Sequence, residues 1–303
     1  MHIYTADEKY PAGRPGTAIA LGYFDGMHIG HRAVLDAAAA HAAAHGLDLA
    51  AFTFTLPPGQ GLKGLRLQTP AQKYALLAAW GVQYCYAPAF ESICSLPPEA
   101  FFTDLLLSQY GAKAVFCGAD FRFGAHKAGD AALLQSLCGG QGLHFGIVPM
   151  ARYQGEEVSS TRIRTALAVG DISLVNALLG RPYQICLPVQ RGKGLGRTLG
   201  MPTLNQIYPP DMQPPARGVY ITQALVNGQV LPSVTGYGNR PTVDGQGADS
   251  CETFIPGFAG ELYEQEINVS FYKKLAEVRA FASTEELGAA VRAWAKEAQA
   301  FFA

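Results

Sequence analysis

Short apolar runs alternate with helical stretches through the first 180 residues. TAIALG (17–22) reads as a buried strand ending in glycine, and LAAFTF (49–54), AKAVFCG (112–118) and LHFGIVP (143–149) repeat the pattern. Between them, HRAVLDAAAAHAAAHG (31–46) is rich in alanine, free of proline and closed by Gly46, which predicts a helix with a glycine stop. AQKYALLAAWG (71–81) predicts a second helix, and residues 160–171 and 173–180 predict two short ones. Strands alternating with helices imply βαβ units and a doubly wound parallel sheet.

The pattern changes after Gly180-Arg181-Pro182. YQICLPVQR, GVYITQALVNG, VLPSVTGYG, CETFI and LYEQEINVSFY are β-type runs separated by Gly, Pro, Asn and Asp. They predict an antiparallel β-barrel. Asn227-Gly228 inside it is a hairpin signal, because Asn-Gly supplies the positive φ values of a type I′ turn. Residues 283–302 predict a closing helix, with Ser283 and Glu286 spaced as a capping box. The expected organisation is an α/β domain over 1–181 and an all-β domain with a C-terminal helix over 182–303.

Composition narrows the class. With 49% hydrophobic and 16% charged residues among 303, the chain is a packed globular protein and not a disordered one. A formal net charge of -1 gives no global field to gather nucleic acid or anionic lipid, so neither is expected as a partner. The N-terminus lacks a basic-then-apolar signal pattern, and no run approaches the roughly 18 apolar residues of a membrane span. The six cysteines are scattered without a close pair, which reads as reduced thiols in a cytoplasmic protein.

The densest chemical signal is Gly22-Tyr23-Phe24-Asp25-Gly26-Met27-His28-Ile29-Gly30-His31, where the first long strand meets the first helix. Backbone N–H groups and the helix dipole make such a junction a phosphate site. Gly30 is expected to let a ligand approach the backbone, and His28 and His31 to stabilise a departing pyrophosphate. A turn with two exposed histidines is the alternative; a zinc pair lacks a third ligand nearby in sequence. Ser160, Thr161 and Arg164 open a later helix and also suit phosphate, or form an ordinary cap. Asp120, Phe121 and Phe123 follow a strand, where aromatics either hold a flat ring or anchor a loop. Gly192, Lys193 and Gly194 begin a glycine-rich loop able to cradle phosphates, neither a Rossmann nor a Walker A sequence. Thr203 and Asn205 offer oxygens to Mg²⁺. Glu252, in an apolar strand, is a candidate general base or a solvent-facing glutamate.

Taken in order, GYFDGMHIGH, GADFRFG, VSSTRIRTAL, LGRPYQI, GRTLGMPTLN, GVY, GNRPTV, CETF and ELY resemble the bacterial bifunctional riboflavin kinase/FMN adenylyltransferase family over nearly the whole chain. GYFDGMHIGH is also similar to the H-x-G-H signature of nucleotidyltransferases. The resemblance implies a nucleotidyltransferase domain followed by a riboflavin kinase barrel. The barrel would phosphorylate the riboflavin 5′-hydroxyl with ATP to give FMN. The first domain would join FMN to AMP, giving FAD and pyrophosphate, and both steps would use Mg²⁺. By motif, Gly22, Phe24, His28, Gly30, His31, Ser160, Thr161 and Arg164 belong to the adenylyl nucleotide site, with Asp120, Phe121 and Phe123 on its flavin side. Gly192, Lys193 and Gly194 would line the kinase ATP loop, Thr203 and Asn205 hold the metal and phosphate, and Glu252 activate the hydroxyl. The chain departs from the family where Thr55-Leu56-Pro57-Pro58 lacks the usual histidine, and at residues 254–264. One active domain alone, or a non-catalytic flavin- or nucleotide-binding protein, are the alternatives.

Overall fold

The computed structural model describes residues 1–5, 7–57, 61, 64–191, 201–239 and 249–303. It divides into two compact units, Met1–Ser160 and Thr161–Ala303, a division ahead of the pattern change at 180–182.

The first unit is built on a parallel sheet. In chain order it contains β1 (His2–Tyr4), β2 (Thr17–Leu21), α1 (Ile29–His45), β3 (Asp48–Phe52), α2 (Pro70–Ala79), β4 (Tyr84–Tyr86), β5 (Ala112–Gly118), α3 (Ala131–Gly140) and β6 (His144–Val148). The strands run in the order β1-β4-β3-β2-β5-β6 with parallel pairing throughout. Every residue of β2 and of β3 is buried, as expected for central strands covered on both faces. Strand alternation sends Ala18 and Ala20 to one apolar layer with Val34, Leu35 and Ala38 of α1, and Ile19 and Leu21 to the other with Phe101, Phe102 and Leu134. The small side chains on the α1 side let that helix lie close to the sheet.

One buried carboxylate in this sheet is fully provided for. Asp48 accepts three guanidinium hydrogen bonds from Arg14, at 2.8, 2.8 and 3.0 Å, and one at 2.6 Å from the Tyr10 hydroxyl. Burial and this bond to Asp48 push the Tyr10 hydroxyl up to about 12. Helix ends follow their sequence signals. Gly46 closes α1 at φ 64°, and Thr69 with Gln72 forms a reciprocal capping box ahead of Pro70. The first unit also contains a nine-residue π-helix, Phe101–Gln109, which no pattern in the chain predicts.

The second unit contains α4 (the helix Ser160–Val169, whose first residue closes the first unit), α5 (Ile172–Leu179), β7 (Tyr183–Pro188), β8 (Thr203–Ile207), β9 (Gly218–Val226), β10 (Gln229–Asn239), β11 (Asp249–Phe254), β12 (Glu266–Ala276) and α6 (Thr284–Phe301). The six strands pair antiparallel in the order β7-β12-β9-β10-β11-β8. Beyond β7, Gln190 donates its N–H to the Asn205 carbonyl of β8 at 2.7 Å, so the two edges of the sheet meet and the barrel closes there. The Asn227-Gly228 hairpin forms as its sequence predicts, with Val226 opposite Gln229 and positive φ at both turn residues. The interior face carries hydroxyls as well as apolar groups. Thr222, Ser233, Thr235 and Thr253 form a buried chain of 2.8 Å hydrogen bonds. Buried Gln206 donates to the carbonyls of Leu187 and Ile267. Helix α6 packs Ala295 and Ala298 against Ile221 and Val234 on the outer face. Its cap follows the signal in part: Ser283 accepts the Glu286 N–H, while the Glu286 carboxylate accepts from Ala282, one residue before the cap.

Candidate active sites in the two halves

The loop between β2 and α1 is shaped by backbone that few sequences tolerate. Phe24, Gly26 and Met27 have φ of 56°, 83° and 48°, so three of four consecutive residues are left-handed. The Phe24 ring is fully buried beneath the loop and meets His31 edge-on at 5.3 Å. Phe24 therefore acts as a floor under the histidine, and its ring is not presented to a ligand. A Cβ at Gly22 would stand 3.0 Å from that ring, which explains the glycine there.

His28 is the N-cap of α1. Its Nδ1 accepts the His31 N–H at 3.3 Å, and the two imidazoles stack 15° from parallel with centroids 3.6 Å apart. Acceptance at Nδ1 places the proton of a neutral His28 on Nε2, as a donor. Gly30 has a reason other than ligand approach: a Cβ there would lie 3.2 Å from the His28 ring, so the glycine makes room for the imidazole to fold back over the helix end.

Three consecutive carbonyls of this loop are each taken by a side chain from elsewhere in the first unit. Tyr23 accepts from Lys73 Nζ at 2.8 Å, Phe24 from Gln68 Nε2 at 3.0 Å, and Asp25 from Ser160 Oγ at 2.8 Å. The Asp25 carboxylate accepts the Leu67 N–H at 2.9 Å. Ser160 thus sits beside the histidine loop, and Thr161 and Arg164 follow it on α4, Arg164 buried and Thr161 exposed. Lys73 and Gln68 were not anticipated. The available signal was a lysine on the inward stripe of α2, where Lys73 and Leu77 are the buried pair at i, i+4.

In the loop after β5, Asp120 is exposed and Phe121 half-buried, whereas Phe123 is 5% exposed and packs on Phe101 at 5.2 Å. A Cβ at Gly129 would meet the Phe123 ring at 2.6 Å. Of the three residues expected on the flavin side, Asp120 and Phe121 reach the surface and Phe123 is part of the core.

The second constellation is wholly on the barrel. Asn205 of β8 pairs with Glu252 of β11, and Glu252 pairs in turn with Gly236 of β10. Thr203 precedes Asn205 by two residues, so Thr203, Asn205 and Glu252 share the outer face. Asn205 is 8% exposed, and its Nδ2 turns back on Thr203, 3.4 Å from the carbonyl. Beside them is a cavity of about 330 Å³. Thr203, Tyr237 and Glu252 line it from the sheet, Arg279 and Phe281 from the segment before α6, and Trp294 from α6 itself. Gly236 and Gly238 also border it. The cavity wall beyond Glu252 was not read in the sequence, because Arg279, Phe281 and Trp294 join it only through the return of α6. Gly192, Lys193 and Gly194 lie outside the described residues. Among the described residues no group of three His, Cys, Asp or Glu side chains is arranged to hold a metal, and Thr203 and Asn205 could offer a cation only neutral oxygens. Mg²⁺ suits such a set, since it keeps much of its shell as water and substrate phosphate.

A histidine pair at a helix N-terminus on an α/β sheet, followed by a hydroxyl, amide and carboxylate on a barrel, is the arrangement of two transferases joined in tandem. Comparison with known proteins agrees. The FAD synthetase family matches residues 11–162 and the riboflavin kinase family residues 179–302. The bifunctional riboflavin kinase/FMN adenylyltransferase of Pseudomonas fluorescens is 34% identical over 95% of this chain and 94% of its own. Those of Escherichia coli K12 and Bacillus subtilis are 34% and 33% identical over 96% and 100% of this chain, and 94% and 98% of theirs. This chain belongs to the bifunctional riboflavin kinase/FMN adenylyltransferase family. A crystal structure described as a macrolide-efflux protein from Streptococcus pneumoniae superposes with a TM-score of 0.84 at 27% identity, covering 97% of each chain. Its efflux is not carried over. Among the described residues no helix of this chain is long and apolar enough to cross a membrane.

Proposed function

We propose that this chain converts riboflavin to FAD in two ATP-dependent steps in the bacterial cytoplasm, the kinase step on the barrel and the adenylyl step on the α/β unit. The observation that carries the reading is that each half matched to one activity holds its own polar constellation: stacked His28 and His31 in one, and Thr203, Asn205 and Glu252 beside a cavity in the other.

In the kinase half, riboflavin occupies the cavity with its 5′-hydroxyl toward Glu252. The carboxylate takes the hydroxyl proton as the oxygen attacks the γ-phosphorus of ATP. Thr203 and Asn205, with the ATP phosphates, are the residues that would hold Mg²⁺, which when bound neutralises charge on the phosphates. Lys193 and its glycines complete the phosphate site by family motif. In the adenylyl half, the FMN phosphate attacks the α-phosphorus of a second ATP and pyrophosphate leaves. His28 and His31 donate to the leaving oxygens, and the N-terminus of α1 favours the developing negative charge. Ser160 supplies a further donor, Thr161 and Arg164 belong to this step by family motif alone, and Asp120 and Phe121 border the flavin side.

Incubation of the purified chain with riboflavin, ATP and Mg²⁺, followed by chromatography, tests this. FAD is the expected product. FMN alone would leave the first half inactive, and FAD only from supplied FMN would leave the barrel inactive. Unchanged riboflavin and no FAD from FMN would reduce the chain to a binding protein.

A further inference from the structure

Lys73 is a charged side chain in a place where charge is costly. It lies on the buried side of α2 and is 9% exposed. Its Nζ donates to the Tyr23 carbonyl at 2.8 Å and to Thr53 Oγ1 at 3.2 Å, and stands 4.4 Å from the centre of the Tyr23 ring. Thr53 in turn donates to the same Tyr23 carbonyl at 2.9 Å. No carboxylate among the described residues forms an ion pair with it. A buried ammonium whose direct hydrogen-bond partners are all neutral destabilises the fold relative to an apolar side chain of the same size. Core packing alone does not account for a lysine at this position.

What the ammonium touches suggests its use. With the Phe24 carbonyl held by Gln68 and that of Asp25 by Ser160, Lys73 is one of three side chains that hold successive carbonyls of the loop. The chain has no cis peptide bond among the described residues, and in a trans peptide the N–H points opposite to the C=O. Fixing the carbonyls of Tyr23, Phe24 and Asp25 therefore also fixes the N–H groups of Phe24, Asp25 and Gly26, each pointing away from the donor that holds its own peptide's carbonyl. We propose that Lys73 is a positioning residue of the adenylyl site: its charge holds the carbonyl side of the Tyr23–Asp25 turn and sets a positive potential beneath the loop that takes the ATP triphosphate. The proposal rests on the adenylyltransferase reading of the first unit.

The charge is removable. Burial lowers the Lys73 ammonium to about 8. The groups facing it are Asp25 and Cys85, which favour the charged form, and Arg66, which opposes it. Below that value the amine is charged; above it the amine still donates hydrogen bonds but loses the charge-assisted part of them. A bound polyanion would favour the charged form and so bind more tightly at neutral than at alkaline pH.

The test measures kcat/KM for ATP in FAD formation from supplied FMN, between pH 6.5 and 9.5, in wild type and Lys73→Gln. A thermal melt of each protein is the control for folding of the first unit, and FMN formation by the barrel of the same chain is the control for general effects of pH. Wild type is expected to lose adenylyl kcat/KM through a single ionisation near pH 8 while FMN formation shows no such step. Lys73→Gln keeps a donor without the charge. It is expected to be about tenfold lower at pH 7, the ratio set by the roughly 1.4 kcal/mol between charged and neutral hydrogen bonds, with KM for FMN unchanged and no step near pH 8. A Lys73→Gln enzyme equal to wild type at pH 7, or one that keeps the alkaline step, overturns the proposal. If that variant does not fold, the wild-type profile decides alone, and a flat profile between pH 7 and 9.5 overturns it. Absence of any FAD synthesis by wild type would instead remove the adenylyltransferase reading.

Discussion

His28 caps the helix that carries His31: its Nδ1 accepts the His31 N–H at 3.3 Å while its ring lies 3.6 Å from the His31 ring. The two imidazoles are thus one structural unit, and their substitutions are not equivalent. His31→Ala removes a donor to the leaving group and should lower FAD formation from FMN by about ten- to a thousandfold, with FMN formation retained. His28→Ala should lose as much activity and also about 1 kcal/mol of stability, because the cap goes with it. His28→Asn restores a capping oxygen but not the imidazole donor. It should recover melting temperature and leave activity low. Recovery of activity by the asparagine would show that capping, not chemistry, is the role of His28.

Gly30 gives a second test of the same geometry. A methyl at this position would stand 3.2 Å from the His28 ring, tighter than ordinary contact, and the ring is the part able to move. Gly30→Ala is expected to keep the fold, since alanine favours a helix. FAD formation should fall about tenfold or more through displacement of the imidazole, with the kinase unaffected. A melt and the two activity assays on one sample check this; normal FAD synthesis would show that the histidine geometry has slack.

How much of this was legible depends on the range of the interaction. The long strands and α1 were readable because each is an apolar run or an alanine helix closed by glycine. β4, only Tyr84–Tyr86, and β1 are too short to carry a pattern of their own; they exist because a parallel sheet offers them a partner. α3 escaped although Asp130 caps it, since its ten residues follow a motif read only for chemistry. The histidines and Glu252 stood out as local motifs. Lys73 could not, because its use depends on a carbonyl fifty residues earlier in the chain.

A third prediction concerns pH and stability. His41 stacks between His45 and His144, at 3.9 and 4.1 Å. Desolvation, then the neighbouring His144 and His45, hold its pKa below the ordinary 6.5. The unfolded chain therefore binds the proton more readily than the folded one between the lowered value and 6.5. The stability from a neutral His41 is fully present above that window and is lost as pH falls through the folded value. His41→Phe keeps ring contacts and cannot titrate, so the fall in melting temperature between pH 7 and 5 should be shallower than in wild type. Equal slopes would remove His41 from the acid sensitivity.

The start of a self-sufficient kinase fragment can be set by experiment. Asn176 of α5 accepts the Tyr183 N–H at 2.7 Å and donates to the Phe271 carbonyl at 2.8 Å. Ile172, Val175, Leu178 and Leu179 of the same helix are buried, and Leu167 of α4 accepts the Ala216 N–H. A fragment from residue 182 would lose these three hydrogen bonds, worth about 1 kcal/mol each, and expose apolar barrel surface. A fragment from residue 161 should fold and make FMN, and the one from 182 should melt roughly 5–15 °C lower. Equal melting temperatures would place the working boundary at 182.

The last prediction concerns Glu252. It is an exposed glutamate on a strand whose neighbours Cys251 and Thr253 are fully buried, and ordinarily such a residue is silent to mutation. Its register argues otherwise. Pairing with Asn205 on one side and Gly236 on the other puts its carboxylate between an amide and an open glycine, on the rim of the cavity. The riboflavin hydroxyl is a poor nucleophile, and proton transfer to a carboxylate during phosphoryl transfer lowers the barrier by about 3–5 kcal/mol. Glu252→Gln preserves size and strand pairing and removes the base. The kcat for FMN formation should drop about a hundredfold or more. KM for ATP should stay near normal, because the phosphates rest on other residues, and FAD formation from supplied FMN should be untouched. Glu252→Asp, with the carboxylate one methylene short, should fall between the two. Steady-state kinetics on the three proteins discriminate: a near-normal kcat for the glutamine variant would return Glu252 to the barrel surface and leave the deprotonation to water or to the phosphate itself.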